Sequence, residues 1–147
     1  MACYLLVAHQ TAESPEFVNA ACDLAKSDPD ATFTILVPAT PVPHLLYWEE
    51  RETLAAAREQ ASKASIRLKA VGCRVTEARI GDRDPVLAVE DELRRRTYHA
   101  IVISTFPVGW SRWLRLGVIH RLRRSFPNHT LIHVIASAQA AARSLAR

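Results

Sequence analysis

Tyr4-Leu5-Leu6-Val7-Ala8-His9-Gln10-Thr11-Ala12-Glu13-Ser14-Pro15 decides how the chain is read. The five apolar residues Tyr4 to Ala8 fit a strand buried on both faces, because a strand with one wet face would alternate. His9-Gln10-Thr11 breaks the run as a polar loop. Ser14-Pro15 then starts a helix: the serine side chain accepts one of the unpaired first-turn N–H groups, and proline brings a helical φ and no N–H of its own. Phe17, Val18, Ala21, Leu24 and Ala25 make one apolar stripe, and Asp28-Pro29-Asp30 ends the helix.

The same strand-then-helix unit recurs downstream. Thr32 to Val37 is β-branched and aromatic and stops at Pro38, which predicts a second strand. A proline-rich loop follows. Glu49 to Ala70 carries Leu54, Ala57, Ala61, Ala64, Leu68 and then Val71 at helical spacing, with Gly72 as terminator. Arg74 to Ile80 alternates and is the most polar strand, as a sheet edge would be. Gly81-Asp82 turns the chain. Asp84-Pro85 repeats the cap-then-proline start and leads Val86, Val89 and Leu93 inward, and Arg94-Arg95-Arg96 closes that helix with charge that suits its negative end. Ala100 to Ile103 is a fourth buried strand. Ser104 to Leu116 reads as a loop with at most one helical turn, Val118 to Phe126 as a helix, and Leu131 to Ala136 as the fifth strand. Alternating strands and helices build parallel βαβ units, so the class is α/β, a doubly wound parallel sheet with helices on both faces. Ligands of such sheets sit beyond the strands' carboxyl ends where strand order reverses, which singles out Ala8 to Thr11 and Ser104 to Val118.

A length of 147 residues suits one domain, expected over residues 1–136 with an Ala-rich tail at 137–147. Hydrophobic residues at 49% and charged ones at 23% exclude a disordered chain, a collagen and a disulfide scaffold. The best uncharged run, Ala31 to Trp48, carries Pro38, Pro41, Pro43 and His44, so no membrane span is expected. Met-Ala-Cys-Tyr-Leu-Leu-Val-Ala-His lacks a basic leader and a long apolar segment, and the expectation is a cytoplasmic protein. Cys3, Cys22 and Cys73 are odd in number and hold no C-x-x-C, which favours small buried hydrophobes over a disulfide frame or zinc site. No Asp or Glu follows Glu92, whereas ten arginines do. That cationic segment either attracts an anion or is simply a solvated surface in an arginine-rich sequence.

The strand ending in His9-Gln10, the Ile80-Gly81-Asp82 turn, and Ile101-Val102-Ile103-Ser104-Thr105 followed by Leu114-Arg115-Leu116-Gly117 resemble the universal stress protein family over nearly the whole chain. Val7 to Thr11, Leu36 to Pro41 and Ser111 to Arg115 resemble strings of a divergent actinobacterial branch of it. The resemblance implies a five-stranded sheet in the order 3-2-1-4-5, the adenine nucleotide alpha hydrolase-like fold, and a homodimer through the last strand. ATP-binding members carry Gly-x-x-Gly-(nine residues)-Gly-Ser/Thr after the fourth strand. With Gly117 as the third glycine, Ser104, Pro107 and Val118 fill the other positions, so the loop is degenerate. Pro107 has no N–H, Ser104 adds a Cβ where backbone must approach, and Val118 cannot bond a phosphate. In the first loop His9 or Gln10 stands where those members place an Asp. The adenine contact maps to backbone at Val37.

Thr105 and Ser111 supply hydroxyls nearby, Arg112 and Arg115 supply guanidinium forks, and the helix after Gly117 adds a positive end, so side chains can rebuild an anion site. No cofactor is certain. ATP, AMP or another phosphate-containing small molecule remains open beside no ligand at all. His9, at a strand end, is either a contact or a structural imidazole. His129 and His133 are four apart along a strand, roughly 13 Å end to end, too far for one metal. Trp110 and Trp113 either stack on a ring or plug the core, the latter being preferred. Leu45-Leu46-Tyr47-Trp48 is a lid or a contact for a protein partner. No nucleophile elbow, Walker loop, Rossmann triplet or His-x-Glu signature occurs, and Glu49-Glu50 and Glu90-Asp91-Glu92 lie on helices where neighbours diverge, so no enzyme is expected. The expectation is therefore a non-catalytic module sensing a small anion or nucleotide in a stress response. Its rivals are a ligand-free dimeric interaction protein and an ATP-binding or ATP-hydrolysing member. Nucleic acid is the least favoured partner, since no aromatic platform is interleaved with the arginines.

Overall fold

Two helix starts show how local chemistry sets the element order. In a computed structural model that describes residues 2–40, 50–107 and 111–137, leaving aside the side chains of Glu50, Arg112 and Arg115, Ser14 Oγ accepts from the Phe17 N–H at 3.2 Å and opens α1 (Pro15–Ser27). Asp84 Oδ1 accepts from the Val86 N–H at 3.0 Å and opens α3 (Pro85–Arg95). The other elements are β1 (Cys3–Val7), β2 (Thr32–Pro38), α2 (Glu50–Ala70), β3 (Arg74–Gly81), β4 (Ala100–Thr105), α4 (Arg112–Arg115), α5 (Val118–Ser125) and β5 (Leu131–Ile135).

All five strands are parallel and lie in the order β3-β2-β1-β4-β5. β1 is central, with Leu5 opposite Thr34 on one side and Ile101 on the other. Alternate residues face opposite layers. Leu6, Phe33, Ile35, Val37 and Val102 pack with Phe17, Val18 and Ala21 of α1 and Ala57, Ala61, Ala64 and Leu68 of α2. Leu5, Val7, Leu36, Ile101 and Ile103 pack with Val86 and Val89 of α3, Trp113 of α4, and Val118, Ile119 and Leu122 of α5. Helices thus cover both faces, which is why Cys3 to Val7 of β1 and Ala100 to Ile103 of β4 run without a polar residue while the outer β3 alternates.

Three details differ from the sequence reading. β4 extends through Ser104 and Thr105, which were expected in the loop, because these residues pair with Val134 and Ile135 of β5. Val71 is 46% exposed, since α2 ends at Ala70 and the left-handed Gly72 (φ 93°) turns the chain before Val71 can join the stripe. Phe126 lies just past α5, where its N–H bonds to the Leu122 carbonyl at 2.9 Å. At Gly81 the reason for glycine is space: a Cβ there would sit 2.7 Å from Ala88 Cβ and 2.9 Å from Leu36 Cδ1. α3 can therefore lie close against the end of β2.

Candidate functional site

The chain winds from β1 through β2 to β3 on one side and returns to β4 on the other. The segments leaving β1 and β4 consequently diverge at the strands' carboxyl ends, the place where doubly wound sheets hold their ligands. Beyond β1, Ala8 is still tied to β2 by its N–H to the Leu36 carbonyl at 3.3 Å. Two turns then carry the chain into α1: Ala12 N–H donates to His9 O at 3.1 Å, and Ser14 N–H to Thr11 O at 3.0 Å. The wrapping buries His9, Thr11 and Ser14 although all three are polar.

What sets this corner apart is unmet hydrogen bonding. Seven buried side-chain polar atoms among the described residues have no partner, and six belong to this end of the sheet: His9 Nδ1 and Nε2, Gln10 Nε2, Thr11 Oγ1, Glu16 Oε2 and Ser104 Oγ. The seventh, Thr34 Oγ1, lies mid-strand in β2. Each such group costs about 1–3 kcal/mol when left unsatisfied, so a cluster signals a function that needs it. Burial lowers the His9 pKa from 6.5 to about 4. At neutral pH the ring is uncharged and offers one donor and one acceptor. With the Gln10 amide, two hydroxyls and the Glu16 carboxylate, the corner can bond a ligand carrying both donors and acceptors.

The β4 side is more self-contained. Thr105 Oγ1 donates to the Phe106 carbonyl at 3.0 Å and lies 2.8 Å from His133 Nε2. With the hydroxyl proton on that carbonyl, the imidazole must donate from Nε2. Burial, and then the charge of Arg123, lowers the His133 pKa, consistent with a neutral ring. Ser111 Oγ accepts from the Leu114 N–H at 3.1 Å and caps α4. The N–H groups of Ser111 and Gly117 are taken by the carbonyls of Pro107 and Leu114, each at 3.1 Å. Gly117 is left-handed (φ 68°) and leads into α5, whose Val118 side chain is fully buried. The Thr105 and Ser111 hydroxyls proposed as anion contacts, and the Ser111 and Gly117 amides beside them, are thus already engaged within the protein. The side chains of Arg112 and Arg115, residues Leu45 to Trp48, and Trp110 lie outside the described residues.

On the β2 side, Val37 is fully buried and paired with Ile80, and Ala39 N–H donates to Gly81 O at 3.1 Å. Trp113, 7% exposed, plugs the core and donates its indole N–H to Thr40 Oγ1 at 3.3 Å, while Thr40 Oγ1 donates to Arg83 O at 3.0 Å. These bonds brace α4 against the end of β2. Sequence reasoning missed this brace, which joins residues 73 apart, and it missed Glu16, an acidic first-turn residue like those of many helices. It also missed the burial of Glu92, which accepts from Arg79, Arg95 and Tyr98. Here a signal existed: Glu92 follows Val89 by three positions on the inward face of α3. The basic triplet is largely paired, Arg94 with Glu90, Arg95 with Glu92 and Glu77, and Arg96 with Glu77. Arg121 pairs with Asp84 at 2.7 Å.

No protein-family profile and no curated protein matches the sequence. Solved structures do match. A universal stress protein from Archaeoglobus fulgidus aligns with a TM-score of 0.62 at 15% identity, covering 91% of this chain and 93% of that one. A protein of the universal stress protein family from Burkholderia pseudomallei gives 0.57 at 16%, covering 90% and 94%. A universal stress protein in complex with cAMP gives 0.56 at 18%, covering 92% and 98%. Strand order, helix placement and near-complete mutual coverage agree: the chain has the universal stress protein fold.

Proposed function

We propose that this chain is a non-catalytic module of the universal stress type that senses a small nucleotide-like ligand in the crevice between β1 and β4. The observation that carries this reading is the cluster of unpartnered buried polar atoms at His9, Gln10, Thr11, Glu16 and Ser104. The cAMP complex of a protein with the same fold supports a nucleotide as the class. The corner of mixed donors and acceptors suits a base or ribose. The Glu16 carboxylate disfavours a bare phosphate beside it, so any phosphate points toward Arg112 and Arg115, on α4. With the Ser111, Leu114 and Gly117 amides bonded within the loop, the grip on phosphate is weaker than a glycine-rich loop provides.

Calorimetric titration and thermal shift with cAMP, AMP, ADP, ATP and inorganic phosphate test this. Saturation at about 100 times Kd stabilises a folded protein by about 2.7 kcal/mol. A nucleotide is expected to raise the melting temperature of the native chain and to do so much less in His9→Leu. No response to any of the panel overturns the reading. Turnover of ATP that disappears in Arg112→Ala would instead make the chain an enzyme. Among the described residues no helix is long and apolar enough to cross a membrane, and we place the module in the cytoplasm.

A second reading rests on β5. Among the described residues it pairs only with β4, and Ile135 on it is 49% exposed. An open outer strand with an exposed isoleucine favours pairing with a second copy. Sedimentation of the native chain against Ile135→Lys tests it, with the variant expected to be monomeric.

A further inference from the structure

At the other edge of the sheet from β5, β3 pairs only with β2 among the described residues. One bond tells which of its backbone groups this leaves open. Gly81 O accepts the Ala39 N–H at 3.1 Å, so Gly81 turns its peptide groups toward β2. Residues of a strand alternate in this respect, and the register runs without a break from Glu77 to Gly81, past the irregularity that follows Val75. Glu77 and Arg79 therefore face β2 as well, while Ala78 and Ile80 hold their N–H and C=O groups toward the open edge. The side chains of Ala78 and Ile80 point to the α2 side of the sheet, as do those of their partners Ile35 and Val37. On that side a cavity of about 330 Å³ separates strand from helix, and its lining includes Arg58, Ser62, Ser65 and Ile66 of α2 together with Ala78 and Ile80. Ile66 is 68% exposed.

We propose that the β3 edge and the groove beside it hold an acidic segment of another protein in extended conformation, added to the sheet as a new outer strand. The charge on both flanks of the edge sets the sign of the partner. On the α2 flank, Lys63 is paired with Glu59 at 2.9 Å, whereas Arg58 joins no ion pair among the described residues. Lys69, one helical turn beyond Ser65, adds a second cation to the same face of α2. On the α3 flank, Arg79, Arg95 and Arg96 share only two carboxylates, Glu77 and Glu92. Side chains of an added strand alternate between these flanks, so carboxylates on either face meet an excess of positive charge. The main chain of the segment meets the outward groups of Ala78 and Ile80. A phosphate backbone offers acceptors alone and leaves the two carbonyls unmet, which favours a peptide over a nucleic acid. A second copy of β3 would bring the same cations against these. This edge is independent of the ligand proposed for the crevice.

The test is titration of the nitrogen-15-labelled native chain with the capped peptide Glu-Val-Glu-Val-Glu-Val-Glu, followed by amide resonances and hydrogen exchange. The Ala78 and Ile80 amides are expected to shift and to exchange more slowly, and added salt to weaken the binding. Lys-Val-Lys-Val-Lys-Val-Lys, of the opposite charge, is expected to leave them unmoved, as is the acidic peptide with its central valine replaced by proline. Arg58→Glu, on an exposed side chain, is expected to weaken binding roughly tenfold. Ala78→Pro removes an outward N–H and no bond to β2, so it is expected to abolish binding while the chain stays folded. Absence of any shift with the native chain overturns the proposal, whether or not the variants fold. So does an equal response to the lysine peptide, or a response centred on His9 to Thr11 or on β5. Sedimentation showing a dimer that persists in Ile135→Lys and dissociates in Ala78→Pro would give the edge to a second copy and overturn it too.

Discussion

Acidification is the sharpest probe of the crevice, because His9 is buried and neither ring nitrogen has a partner among the described residues. In the unfolded chain this histidine takes up a proton near pH 6.5, whereas in the folded one it does so at about 4. Between those values the unfolded state binds more protons, so stability falls as pH falls through the window. It is constant above the upper value and loses nothing more to His9 below the lower one. At about 1.36 kcal/mol per pH unit, the loss attributable to His9 is roughly 3 kcal/mol. The assay is urea unfolding at several pH values from 7 to 4, followed by the fluorescence of buried Trp113, on the native chain and on His9→Leu. His133, whose pKa is also lowered, and the carboxylates Asp28 and Asp84, held below their ordinary value, titrate in both proteins and cancel in the difference. The native chain should lose roughly 3 kcal/mol more than the variant across the window. At pH 7 the variant should be at least as stable, because it removes unpaired buried nitrogens that cost about 1–3 kcal/mol. Higher stability with weaker ligand binding is the pattern of a residue kept for function. Parallel pH profiles for the two proteins would refute the reasoning.

Gly81→Ala should destabilise by about 2 kcal/mol in chemical denaturation, since its Cβ meets Ala88 and Leu36 at under 3 Å and α3 must retreat. Glu92→Ala should cost about 2 kcal/mol by the same measure, below the usual loss for a broken buried ion pair because Arg79 and Arg95 are half-exposed and regain water. Asp84→Ala should lower stability by about 1 kcal/mol through loss of the α3 cap, with Asp84→Asn retaining most of it. Burial raises the Asp84 pKa, but the Arg121 guanidinium and the Val86 N–H outweigh it, so the native advantage over Asp84→Asn should be present above pH 4 and fade as the pH falls further. Ser104→Ala should change stability by under about 0.5 kcal/mol while weakening the nucleotide-induced thermal shift, because its hydroxyl has no partner among the described residues.

The amino-acid sequence alone determined the order of elements and their layering. The caps at Ser14 and Asp84, the prolines behind them and the left-handed Gly72 act within a few residues of backbone, and apolar runs of strand length admit only burial on both faces. The cap role of Ser111 was equally local, since its acceptor bond reaches only Leu114, yet the residue reads as one more loop hydroxyl until the short helix behind it is seen. What lies farther apart was decided by the tertiary structure. β4 runs on through Ser104 and Thr105 because β5 supplies partners, the Thr105 hydroxyl is engaged by a histidine 28 positions away, and Trp113 braces Thr40 across 73. The candidate site belongs to this second kind. A histidine, a glutamine, a threonine, a glutamate and a serine are unremarkable in a sequence, and they become a site only where packing withdraws water from them and gives them nothing in exchange. Propensity and capping depend on neighbours along the chain, whereas burial and hydrogen-bond satisfaction depend on everything the fold brings near.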